Sequence, residues 1–310
     1  MKAIDKKLIR DLWRMRGQAF AIILVIAAGV ATFVMSLSTL DSLTGAQAGY
    51  YEEYRFAEAF VSLKRAPVSL ISRIEAIDGV ERAEARVLAA ASVDLKGLTG
   101  FKDPVTARLV SIPDSGQPLL NALFLREGRL VESGRDDEVV LSETFARAHK
   151  LKPGDKLRTT INGRQRALRI VGIALSPEYI YQIRPGALIP DFKRFATLWM
   201  GRTPLSMAYD MEGAFNDVVI KLSTGANFDD VIDALDILIE PYGGLGAYGR
   251  DDQLSHRYLS EEFKSLKQMA WIFPVIFLAV AAFLLNVVVG RMVGTQREQI
   301  ALLKAFGYTN

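Results

Sequence analysis

Two stretches of the chain break its mixed pattern of hydrophobic and polar positions. Ala19–Leu40 runs for 22 residues without a charge, and Gln268–Gly290 runs for 23 more. At about 1.5 Å of rise per residue, each run covers about 33 Å, enough for a bilayer core of about 30 Å. Each therefore predicts a transmembrane helix. The first run exceeds the 7–15 residues or so of a secretory signal core, and the small-x-small triplet Ala46-Gln47-Ala48 lies well past its end. Ahead of it, residues 2–16 space Ile4, Leu8, Leu12 and Met15 along one stripe with Lys and Arg elsewhere, an amphipathic helix for the inner headgroup layer. Leu37, Leu40 and Leu43 continue helical spacing past the first span. Ser260-Glu261-Glu262 predicts a new helix start before the second, with Phe263, Leu266, Met269, Ala270 and Phe273 as its apolar stripe. Both spans are expected to project as stalks, with Pro274 kinking the second.

Between the spans the pattern alternates between strand and helix periods. Ala59–Leu63, Glu84–Leu95, Pro104–Ile112, Glu138–Leu141 and Asp217–Leu222 read as strands. Pro67–Ile77 and Phe228–Ile239 read as helices, and Ser142 reads as the cap of a short helix carrying Phe145 and Ala148. Lys156–Ile161 and Ala167–Ala174 flank Asn162-Gly163, a strong hairpin signal. A strand-helix-strand unit at 59–95 is echoed at 217–249, which suggests two halves of one subdomain around an insertion. The expected fold class is a membrane protein in which two transmembrane helices flank an α+β extracytoplasmic domain. That domain is a βαβ-type subdomain with an inserted β-rich subdomain. The expected boundaries are 1–18 for the leader, 19–40 and 268–290 for the spans, 41–267 for the outer domain with its insertion at about 113–212, and 291–310 for a cytoplasmic tail.

Charge sets the orientation. The net charge of +3 splits into +6 over the two ends and −3 over the long middle. Basic flanks stay in the cytoplasm, so both termini are expected inside and residues 41–267 outside. An acidic middle is not a nucleic-acid surface. The chain has no cysteine, which excludes disulfides, thiolate zinc sites and cysteine nucleophiles. It has no Gly-Lys dipeptide and hence no phosphate loop of the GxxxxGK[ST] kind, and its two histidines, His149 and His256, stand alone. The Arg135-Asp136-Asp137-Glu138 and Arg250-Asp251-Asp252 clusters lack the oxygen spacing of a calcium loop. Arg164, Arg166 and Arg169 read as an exposed edge strand. No catalytic, cofactor or metal site is expected.

The informative stretch follows the second span. Residues 296–309 read Gln-Arg-Glu-Gln-Ile-Ala-Leu-Leu-Lys-Ala-Phe-Gly-Tyr-Thr. Ile300, Leu303 and Phe306 line one face of a short helix that Gly307 can close. This tail resembles the cytoplasmic coupling segment of FtsX/MacB-like ABC-transporter permeases. Ile300, Ala301, Leu302, Leu303, Lys304, Ala305 and Gly307 match, whereas Gln299 stands where that family has glutamate and Phe306 where it has leucine. Residues 137–143, 151–155 and 171–179 are similar to phrases of the family's outer domain. The resemblance implies a permease driven by a separate ABC ATPase subunit and assembled as a dimer in the cell inner membrane. It further implies action on membrane lipids, lipoproteins or other amphiphiles. The implied coupling residues are Arg297, Glu298, Gln299, Ile300, Leu303, Lys304, Phe306 and Gly307. Family members carry further spans after this segment, so a longer chain is implied. The alternatives are a two-span receptor with an outer sensing domain, which a relay helix would favour, and an FtsX-like cell-division scaffold without transport.

Overall fold

The computed structural model describes residues 9, 10, 13, 15–184, 186, 187 and 189–307. Of the predicted leader stripe, only Met15 falls among them; Ile4, Leu8 and Leu12 lie outside. The chain divides into two compact units, Met1–Ala46 with Glu261–Asn310, and Gln47–Ser260.

Among its described residues the first unit is helical. Helix α1 spans Arg16–Glu53 and carries the first apolar run, so its last turns belong to the second unit. Of its 18-residue apolar window, and of that in the helix carrying the second run, only 11% is buried. A soluble core helix would hide that surface, so length and exposure together fit lipid. The two runs lie antiparallel. Phe33 meets Trp271 edge-on at 5.3 Å between ring centroids. A Cβ on Gly29 would lie 3.0 Å from Phe277 Cβ, so the missing side chain lets the backbones approach.

The second unit holds two sheets. The first has β1 (Ala59–Pro67), β2 (Val80–Arg86), β10 (Ala214–Leu222) and β11 (Ala247–Gly249) in the order β11-β1-β10-β2, with antiparallel neighbours. Helices α2 (Leu70–Glu75) and α6 (Phe228–Ile239) cover one face, where Leu70, Ile74, Val231, Leu235 and Ile239 pack on Val61, Val218 and Ile220. The two strand-helix-strand units therefore interleave as a split βαβ fold, each strand pair separated by a strand of the other unit.

The second sheet is inserted between β2 and β10. Its strands are β3 (Leu88–Asp94), β4 (Val105–Ile112), β5 (Phe124–Gly128), β6 (Glu138–Ser142), β7 (Lys156–Ile161), β8 (Arg164–Leu175) and β9 (Phe195–Gly201). The short helices α3 (Lys96–Thr99), α4 (Glu143–His149) and α5 (Arg202–Ala208) lie between or after them. The order is β5-β8-β6-β9-β4-β3-β7, and β7 also pairs with the first half of β8, which closes six strands into a barrel. Alternation fills the barrel with Val139, Leu141, Leu157, Ile161, Ala196, Leu198 and Met200. Val140, Trp199 and Val110 point to its outer face, where Leu123, Val131 and Tyr179 cover them.

The expected α+β class and inserted β subdomain are present, with local corrections. Glu84–Leu95 is not one strand: the chain leaves the first sheet at Arg86 and joins the second at Leu88, so the insertion begins well before residue 113. Asn216 pins this crossover by accepting from Leu88 N and donating to Leu88 O, both at 2.8 Å. Pro67 ends β1 instead of opening a helix. Ser142 does not cap α4 with its side chain; its hydroxyl accepts from Thr197 N. Ser260 starts no helix, because α7 runs unbroken from Leu254 to Thr295 with Pro274 inside it. Arg164 and Arg166 stand on an edge as expected, in the half of β8 that pairs with β7 alone, whereas at Arg169 the strand gains β6 on its other side and is no longer an edge.

Candidate functional site

The face of the split βαβ sheet away from its helices is covered by the C-terminal end of α1, by residues 118–122 and by residues 176–182. Tyr51, Phe56, Phe60, Leu120 and Val219 form its apolar floor, with Ile180 and Tyr248 at the margin. All of these belong to the second unit. Two polar constellations are set into this floor.

The first joins the outer ends of the two long helices. Tyr51 on α1 lies within hydrogen-bond distance of His256 Nδ1 on α7, at 3.0 Å, and Ser260 Oγ lies 3.2 Å from His256 Nε2. Past the end of α1, Arg55 takes a positive φ of 50° and turns the chain into β1. Arg250 donates to Phe56 O and Ala57 O there, with its guanidinium 4.9 Å from the Phe56 ring centroid. Two carbonyls of the linker beyond α1 thus find a cation just ahead of α7, while Tyr50 O, Tyr51 O and Glu52 O of the last helical turn accept from Tyr54, Phe56 and Arg55 N.

The second is a buried ion cluster. Ser62, Asp217 and Arg86 stand in register across β1, β10 and β2. Arg86 donates to Asp217 Oδ1 through Nε at 2.8 Å and to Glu178 Oε1 through Nη2 at 2.9 Å. Glu178 sits in the single turn of 3₁₀ helix, Pro177–Tyr179, that follows β8. Asn121 Nδ2 donates to the Glu178 carboxylate at 2.7 Å, while Asn121 Oδ1 accepts from Ala57 N at 2.8 Å. Gln253 Nε2 donates to Glu178 O at 2.7 Å, and Ser255 Oγ accepts from Tyr181 N at 2.9 Å. One glutamate is thereby bonded to the first sheet and to the segment leading into α7, follows the second sheet in the chain, and reaches the segment leaving α1 through Asn121.

Burial works against all three charges. The Asp217 and Glu178 carboxylates nevertheless hold the Arg86 pKa well above the ordinary arginine range. Arg86 in turn outweighs desolvation at Glu178 and lowers its pKa. Asp217 ends up raised, by burial first and by the Glu178 charge after it, although Arg86 pulls the other way. Every carboxylate here is committed to a cation or an amide, and none faces a cleft as a free base. Among the described residues no group of three or more His, Asp or Glu is placed to hold a metal ion. The arrangement is a joint. Its chemistry is positional.

The predicted coupling residues lie elsewhere. Arg297, Glu298, Gln299, Ile300, Leu303 and Lys304 fall in helix α8 (Arg297–Ala305), which follows α7 after Gln296. The side chains of Gln299, Ile300 and Leu303 lie outside the described set. Phe306, the residue that caps the helix, is 79% exposed, Leu302 is 59% exposed, and Gly307 closes the turn at a φ of 84°. Sequence reasoning missed Arg86, Asp217 and Glu178 as a set. The available signal was a charge at a position whose alternate neighbour, Val219, is apolar.

A family model for the MacB-like periplasmic core domain matches residues 19–238. The chain belongs to this family. It is an FtsX/MacB-like ABC-transporter permease protein, as its tail and loop phrases implied, and the family is membrane-embedded with the core domain on the periplasmic side. Three solved structures are similar to this MacB-like chain. The extracellular domain of the noncanonic ABC-type transporter YknZ from Gram-positive bacteria is 11% identical, with a TM-score of 0.40 over 62% of this chain and 98% of that one. The periplasmic region of MacB from Actinobacillus actinomycetemcomitans is 12% identical, with a TM-score of 0.39 over 69% and 95%. A domain of a putative permease protein from Porphyromonas gingivalis is 15% identical, with a TM-score of 0.35 over 63% and 90%. Among curated proteins no match to the chain is found.

Proposed function

We propose that this MacB-like chain is the permease subunit of an ABC transporter in the cell inner membrane, working as a dimer and driven from the cytoplasm by a separate ATPase. In this reading α8 is the docking element, the spans carry ATP-driven motion outward, and the outer domain acts on lipids, lipoproteins or other amphiphiles. One observation carries it. A short helix directly after the second apolar helix presents Leu302 and Phe306 uncovered, with Glu298 in its first turn and Lys304 in its last. Unburied apolar side chains on a helix with a charge near each end are what a groove on a partner would take up.

Burying an apolar anchor is worth about 1.5–3 kcal/mol, so Phe306→Asp, and Leu303→Asp on the face that the sequence spacing assigns, should each weaken ATPase association at least about tenfold. Both lie outside the apolar runs, so membrane insertion should be unchanged. The measurement is co-purification of the full-length permease with the ATPase encoded beside it. Full retention of the ATPase by both variants would refute the docking role.

A further inference from the structure

We propose that Glu178 is a positioning residue that couples a displacement of the outer ends of both α1 and α7 to the inserted barrel. This rests on the permease reading for the source of the displacement, but not for the joint itself. Glu178 follows β8 with only Ser176 and Pro177 between them, so the barrel holds it directly. Its carboxylate is bonded through Asn121 to Ala57, just past α1. Its carbonyl takes the amide of Gln253, next to the first residue of α7, and Tyr181 N reaches Ser255 on α7 itself. Its second carboxylate oxygen meets Arg86, which anchors it on the split βαβ sheet. The Tyr51–His256 contact and Arg250 already hold the two helix ends to each other. A pair of helices that shifts as a unit therefore pulls on Glu178 from both sides, and that residue begins the barrel's exit segment. Tyr54 O, Arg55 O and the Arg55 guanidinium tie the α1 side alone to Ala122, Asn121 and Pro118 ahead of β5. Buried networks in which every partner is satisfied resist partial opening, so the joint passes displacement on instead of absorbing it.

The absence of cysteine makes this directly measurable. Spin labels would be placed on exposed sites, Glu52→Cys paired with Arg164→Cys and Arg257→Cys paired with Arg164→Cys, in the full chain in lipid nanodiscs. Electron–electron resonance distances should be narrow for both pairs in the unaltered background. Glu178→Gln keeps the size and loses the charge, and it should widen both distributions at least about twofold. Glu138→Gln, at an equally buried barrel carboxylate held by Arg129, should widen neither; equal widening would mean general loosening and would overturn the proposal. Unchanged widths in Glu178→Gln would also overturn it. If Glu178→Gln does not assemble, Asn121→Gly and Gln253→Ala decide. Each should widen most the pair on the helix it releases, and no widening in either refutes the joint. No ATPase is present in this test, so its failure is distinct from a failure of the docking experiment.

Discussion

Arg86 is the cation that pairs directly with two buried carboxylates, with Arg108 acting on them only from farther off, so removing Arg86 is a sharp perturbation. Arg86→Met leaves Glu178 and Asp217 buried without their cation, a defect worth about 3–5 kcal/mol. The deficit should depend on pH with a definite sign. Without Arg86 both carboxyls have folded pKa values above their unfolded values of about 4, so each costs stability above its folded value, and the cost lifts as pH falls through it. In the unaltered protein the depressed Glu178 pKa acts in reverse: its contribution is present above the unfolded value and is lost as pH falls through the folded one. Thermal melting of the detergent-solubilised chain by near-ultraviolet circular dichroism at pH 8 and pH 5 should show the variant's deficit shrinking at pH 5. A deficit that grows on acidification would contradict the assignment. None of the three residues was legible as a site in the sequence. Their partners come from separate regions of the chain, and no local spacing records that Asp217 will stand beside Arg86. Glu178 lay in a recognisable phrase, but its neighbours there explain only the turn.

At the scale of elements, periodicity reported what is local and failed where one element serves two sheets. The apolar runs, the hairpin at Asn162-Gly163 and helix α6 follow their patterns, because each is set by neighbours within a few residues. The strand expected over Glu84–Leu95 breaks at Val87, because the crossover costs no change of pattern when both sheets want alternation. Strand β8 shows a second such case. Val139 pairs with Ile170 but Val140 with Gly172, so Val171 is an extra residue, and Ile170 and Ile173 both face the barrel interior. The bulge draws β5 against β8 so closely that a Cβ on Gly172 would stand 2.3 Å from Arg129 O. Gly172→Ala should therefore cost at least about 1–3 kcal/mol and free β5, read as a lower melting temperature and faster proteolysis at residues 124–130. Gly97→Ala, with open space around it in a helical turn, should neither lower the melting temperature nor speed that proteolysis.

For the molecule as a whole, the charge split predicts that both ends lie in the cytoplasm and the second unit outside it. Single cysteines at Ser115 and Arg164 should react with an impermeant thiol reagent in intact cells, and one at Gln18 should not. The reverse pattern would invert the topology. The family was legible in the order of weak phrases along the chain, and the ionic joint was not, because it exists only once distant segments are folded together. The interleaving of the first sheet has a consequence for how the protein is made. Strands β1 and β2 never pair with each other; β10 lies between them, and the ribosome delivers it only after the entire barrel has been synthesised. Until then two early strands with apolar faces wait unpaired beside a barrel whose strands are already complete. Synthesis beyond Leu222 is therefore the step that ends their exposure, and any pause between Gly201 and Ala214 prolongs it.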